Sequence, residues 1–133
     1  MPKASSISLV KRKTRQRDTI REIFTSARRP LRPQEVAAAA QRSLPSLGIA
    51  TVYRAIKLLL DEGWLIPVNI AGGTRYELAE IGHHHHFHCR DCDKTFNIVG
   101  CAGNVQELAP NGFVIASHEL TLSGTCRWCA ERR

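Results

Sequence analysis

Residues 83–92 read HHHHFHCRDC, with five histidines and two cysteines in ten positions. Imidazole nitrogens and thiolates are the ligands that hold zinc and its neighbours among the transition metals. The cysteines of this stretch form one CxxC pair, Cys89–Cys92, and a second pair, Cys126–Cys129, closes the chain. Each pair can grip one face of a tetrahedral ion, and the two together supply four thiolates, a set that zinc accepts without strain. The segment between the pairs, residues 93–125, is too long for a compact zinc ribbon. The site therefore ties together two segments distant in sequence. Disulfides are the competing use of such cysteines, and a reducing cytosol disfavours them. A closed four-thiolate shell leaves no open position for chemistry, so the expected role is structural.

The histidines need a separate account. Side chains of a strand alternate between its faces. Read as a strand, the run points His83, His85 and Phe87 one way and His84, His86 and His88 the other. One strand can then serve two metal sites back to back. Cys101, the cysteine outside any CxxC, and His118, the histidine outside the run, complete a tetrahedral set with His83 and His85. Glu77, six residues before His83, can join His84 and His86. The plainer readings are a loop of solvated histidines and, for Cys101, a buried thiol with no ligand role. A zinc hydrolase would need an open coordination position and a general base. The chain has no HExxH. No enzymatic role and no organic cofactor are expected.

The elements that position these residues follow from periodicity and charge. Residues 1–78 hold 14 Lys and Arg against 6 Asp and Glu, whereas residues 79–133 hold 5 against 6. A basic half beside a ligand-rich half implies an acidic partner for the first, most simply nucleic acid. Helical spacing of apolar residues predicts helices over 14–27 (Thr14 as N-cap), 33–43 and 49–66, the last with Thr51 near its N-cap and Gly63 as its stop. Two short strands around AGG (71–73) follow. The predicted class is α+β: a winged helix-turn-helix domain over 1–78, then a small α/β dimerisation domain over 79–133. The third helix would enter the major groove, with Thr51, Tyr53, Arg54 and Lys57 at the bases and phosphates. The basic tail Lys11, Arg12, Lys13 and Arg15 would reach backbone or minor groove, and Arg75 in the hairpin would meet a phosphate. No apolar run is long enough to cross a membrane, and the N-terminus lacks the apolar region of a secretory signal. A cytoplasmic location is expected.

GIATVYRAIKLLLDEGWL, then HHHHFHCRDCDK, then the closing CRWC resemble the ferric uptake regulator family of bacterial metal-sensing repressors. The resemblance runs from about Thr14 to Cys129. It implies a homodimer whose two winged helices read a palindromic, AT-rich operator in double-stranded DNA, and a metal that favours the DNA-binding arrangement. By position it implies Cys89, Cys92, Cys126 and Cys129 as structural zinc ligands. It implies Glu77, His84 and His86 as an interdomain sensing site, and His83, His85 and His118 as ligands of a further site. Three departures stand out. A family ligand position falls at Pro30, with His88 as a substitute by face. A carboxylate expected near Asn104 is missing, with Cys101 just before it. NVQELAPNGF (104–113) predicts a shorter dimerisation helix. A site of three imidazoles and a thiolate suits Zn²⁺ better than Fe²⁺ or Mn²⁺, so a zinc-responsive repressor of metal-homeostasis genes is expected. The alternatives are an iron- or peroxide-responsive member and a constitutive DNA-binding protein with structural zinc alone.

Overall fold

The computed structural model describes residues 2–101 and 103–132, with the side chains of the first helix described from Lys11 onward. The chain divides into two compact units, Met1–Glu80 and Ile81–Arg133.

The first unit contains three helices, α1 (Pro2–Ala27), α2 (Pro33–Ala40) and α3 (Ile49–Asp61), followed by the hairpin β1 (Leu65–Ile70) and β2 (Gly73–Leu78). Its core is Ile20 and Phe24 of α1, Val36 and Ala40 of α2, and Val52, Ile56 and Leu59 of α3, closed by Leu65 and Leu78 of the hairpin. These residues recur every three or four positions, which puts them on one face of each helix. Pro33 occupies the first turn of α2, where its missing N–H costs nothing. Glu35 accepts from the Arg32 N–H at 2.9 Å and from the Arg29 guanidinium at 2.9 Å, which fixes the entry to α2. A Schellman turn stops α3: Trp64 N–H donates to the Leu59 carbonyl and Gly63 N–H to that of Leu60. Gly63 sits at φ 76°, where a Cβ is disfavoured. Tyr76 and Leu31 exchange backbone hydrogen bonds, so the hairpin also holds the linker before α2.

The second unit is a three-stranded sheet of order β4-β3-β5, with β3 (His85–Cys89) central, β4 (Thr95–Ile98) antiparallel to it and β5 (Thr121–Gly124) parallel to it. A short helix, α4 (Arg127–Glu131), follows. Parallel pairing requires a long crossover, and residues 99–120 supply it. Gln106 pins this crossover from the side: its amide nitrogen donates to the Phe113 carbonyl at 2.9 Å and its oxygen accepts from Ile115 N–H at 3.1 Å.

Four sequence expectations need correction. Helix α1 is continuous from Pro2, so Thr14 lies inside it and caps nothing. Gly48 is the N-cap of α3, and Thr51 is its third residue. The residues of 41–43 turn away from α2, which ends at Ala40. The helix expected over 104–113 is only a four-residue 3-10 turn, Val105–Leu108. Asn104 caps it, accepting from Gln106 N–H, and Pro110 removes the N–H that a longer helix would need.

Phe24 is 1% exposed and meets Trp64 edge-on, ring centroids 6.4 Å apart. Phe24→Ala should cost about 3–5 kcal/mol, read as a lower denaturant midpoint of the zinc-loaded protein. A loss below about 1 kcal/mol would show that the three helices do not pack around this ring.

Candidate metal centres and nucleic-acid interface

Strand β3 ends in Cys89, and the chain then folds tightly back: Asp93 N–H donates to the Cys89 carbonyl and Cys89 N–H to that of Lys94. This turn aims Cys92 back over Cys89. Strand β5 brings the second pair. Gly124 is in register with Cys89, and its carbonyl accepts from Arg90 N–H at 2.8 Å, so Cys126 emerges beside the first turn. A Cβ on Gly124 would lie 3.3 Å from the Phe87 ring, a close approach that glycine permits. Cys126 then caps α4, whose first turn carries Cys129.

The four sulfurs of Cys89, Cys92, Cys126 and Cys129 lie within 4.8 Å of one another, and Cys92 Sγ is 3.9 Å from Cys126 Sγ. Zinc–sulfur bonds of about 2.3 Å in a tetrahedron require sulfurs about 3.8 Å apart, so the donor set fits zinc. The backbone prepares one thiolate in advance. Cys92 N–H and Cys126 N–H point at Cys89 Sγ (3.5 and 3.3 Å). These donors, Cys92 foremost, hold the Cys89 thiol down at about 6. Burial pushes Cys129 up to about 12 and also raises Cys92. Four neighbouring thiolates repel one another, so a cation is what makes full deprotonation affordable, and its binding releases protons.

The second cluster gathers His83, His85, Cys101 and His118, again within 4.8 Å. His85 Nε2 lies 3.3 Å from Cys101 Sγ, Cys101 Sγ 3.0 Å from His118 Nε2, and the two Nε2 atoms are 3.2 Å apart. A tetrahedral zinc shell of nitrogens and sulfur has edges of about 3.3–3.6 Å, so a small expansion admits the ion. His83 stands edge-on to both imidazoles, at centroid distances of 4.7 and 5.0 Å. Burial, then the neighbouring His83 and His118, lower the pKa of His85 and favour the neutral ring that a metal requires. Cys101 is exposed, so it is not a thiol buried for packing.

The alternation expected of the run is seen in its ring contacts. His84 and His86 share a face, with centroids 4.7 Å apart at 82°. His84 Nδ1 lies 2.6 Å from the Gly82 carbonyl; donation there leaves Nε2 as the ligand atom. Glu77 is buried on β2, at 1% exposure. His88 is corrected as a substitute ligand: its Nε2 is engaged by Asp93 at 2.7 Å. The sequence reading missed Asp93, and its place just past the Cys89–Cys92 turn was the available signal. Pro30 offers no side-chain ligand.

On the first unit, Tyr53, Arg54 and Lys57 are exposed on α3, and Thr51 is half-buried. Thr51 Oγ1 accepts from the Arg54 guanidinium at 3.2 Å. A groove of about 340 Å³ runs between α1 and α3, lined by Lys13, Arg17, Thr51, Arg54 and Leu58 among others. Arg17 is a cation that the sequence reading passed over. Arg15 is exposed on α1. Arg75 is corrected: it is 0% exposed and offers nothing to a phosphate. Among the described residues no helix is long and apolar enough to cross a membrane.

The sequence model of the ferric uptake regulator family matches residues 10–123. The ferric uptake regulation protein of Bacillus subtilis is 31% identical over 124 residues, covering 87% of this chain and 83% of that protein. A solved structure of the Helicobacter pylori ferric uptake regulator, described as revealing three functional metal binding sites, superposes with a TM-score of 0.67 at 20% identity, over 96% of this chain and 90% of that one. A zinc-bound manganese uptake regulator superposes with a TM-score of 0.72 at 24% identity, over 84% and 87%. Sequence and fold together place the chain in the ferric uptake regulator family of metal-responsive, DNA-binding regulators.

Proposed function

We propose that the protein is a zinc-responsive transcriptional repressor of metal-homeostasis genes, acting as a homodimer on double-stranded DNA. The observation that carries this reading is the donor set of the second cluster: three imidazoles and one thiolate, with no oxygen donor among the described residues. Fe²⁺ and Mn²⁺ favour oxygen-rich shells, whereas nitrogen and sulfur suit zinc. The relatives carry names of iron and manganese regulators alike, so ligand chemistry is what separates the readings.

Three metal sites have distinct tasks in this reading. Cys89, Cys92, Cys126 and Cys129 hold a structural zinc in a closed shell. His83, His85, Cys101 and His118 hold the second zinc. Glu77, His84 and His86 are the sensing ligands, and metal bound by them shifts the population toward DNA binding. Residues 1–78 read a palindromic, AT-rich operator, and residues 79–133 hold metal and pair the protomers. Thr51, Tyr53 and Arg54 meet bases, with Lys57 one turn on, and Arg15 reaches backbone or minor groove.

Fluorescence anisotropy with DNA from the protein's own upstream region, across buffered free Zn²⁺, Fe²⁺ and Mn²⁺, tests this reading. Affinity should rise with zinc alone. A rise with Fe²⁺ and none with Zn²⁺ would favour the iron-responsive alternative, and a flat response to all three would leave a constitutive binder. Arg54→Ala should weaken specific binding by about 1–3 kcal/mol, and Lys57→Ala should lower the salt slope of log K by roughly 1. Unchanged values in both would remove α3 from the interface. Cys126→Ser should cost one zinc per chain by elemental analysis and unfold the second unit by circular dichroism; full zinc content would refute the structural assignment.

A further inference from the structure

The second cluster differs from the cysteine quartet in ways that bear on which ion it takes. Its single thiolate, Cys101, is exposed, as is His83, whereas Cys89 and Cys126 of the quartet are buried. A cation can therefore reach Cys101 from solvent without disturbing the fold. Three of its donors already form a nearly equilateral triangle: His85 Nε2, Cys101 Sγ and His118 Nε2, with edges of 3.3, 3.0 and 3.2 Å. One soft thiolate with two imidazoles is a donor set that copper accepts. Thiolate selects Cu(I), imidazole suits copper in either state, and copper outranks zinc at nitrogen and sulfur sites generally.

We propose that this triangle is a copper-accepting site: one Cu(I) binds between His85, Cys101 and His118 and displaces the zinc held there. The inference rests on the reading of this cluster as a metal site. No redox step is involved, because Cu(I) enters and Zn²⁺ leaves without electron transfer. The quartet is the less accessible of the two, because Cys89 and Cys126 are buried and Cys92 and Cys129 half-buried, whereas Cys101 is exposed and meets the incoming ion first. Cys101 is then the residue through which copper excess strips zinc from this cluster.

The test uses the full-length protein loaded with zinc, titrated anaerobically with Cu(I) buffered by a chromophoric chelator. Released zinc is followed with an indicator, and the copper shell is read by X-ray absorption. One Cu(I) should enter, one zinc should leave, and the shell should hold one sulfur and two nitrogens. Cys101→Ser should lower Cu(I) affinity by roughly a hundredfold while lowering zinc affinity at the same site much less, since the lost donor is the soft one. His118→Ala should remove one nitrogen from the shell. A copper shell of three or four sulfurs, or uptake unchanged in Cys101→Ser, would place the copper in the quartet and overturn the proposal. If zinc occupies the cluster but equimolar Cu(I) does not displace it, the proposal fails and the zinc site stands. If only the quartet's zinc is ever bound and Cys101→Ser changes nothing, the metal-site reading of the cluster fails as well.

Discussion

Four cysteine sulfurs brought within 4.8 Å of one another make a costly arrangement unless a cation sits among them. The second unit is built around that cost. Two of its strands, its closing helix and the turn after Cys89 all converge on the quartet, and the apolar surface it buries on its own account is small: in the second unit the described core consists of Cys89 and Cys126 alone among hydrophobic residues. Small units of this kind commonly depend on a metal or a disulfide for stability. The first unit has the opposite character, with an apolar core from three helices and a hairpin that needs no ion to close it.

Strand β3 is where the metal chemistry of the second unit is laid out. Its pleat separates neighbouring histidines onto opposite faces, so a continuous run becomes two groups that could each hold a metal, without any loop between them. At its end the strand delivers Cys89 to the quartet. The pairing of β3 with β4 on one side and β5 on the other fixes it from both edges. Movement of this strand would disturb the cysteine quartet and both histidine groups together.

Much of this was legible in the sequence because local rules and tertiary needs agreed. The CxxC pairs, the alternation of the run, Gly63 at the end of α3 and the hairpin about residues 71–73 are each set by residue type and spacing. The failures have physical causes of their own. Arg75 is polar and lies in a hairpin, and nothing in its type told that it would be buried. Thr14 is a good capping residue, but a cap matters only where a helix begins, and the helix-compatible residues before it let α1 run on from Pro2. His88 has the right face for a ligand; its partner Asp93 comes near through a reverse turn at φ 62° that periodicity does not encode. Residues 104–113 have a helical composition in part, yet Asn104 and Pro110 leave room for a single turn.

The contact between Gly124 and the Phe87 ring acts as a ruler for β5. A Cβ there would crowd the ring at 3.3 Å, so any other residue would make the ring give by a few tenths of an ångström, and glycine suits this seat of the strand along β3. A slip that preserved the facing of its side chains would have to be two residues long, about 6.6 Å. That shift would carry Cys126 beyond the reach of any ion held by Cys89 and Cys92. Strand register and ion content are therefore one variable in this unit: a misaligned β5 is a chain that cannot be loaded, and a loaded chain has already been proofread for alignment.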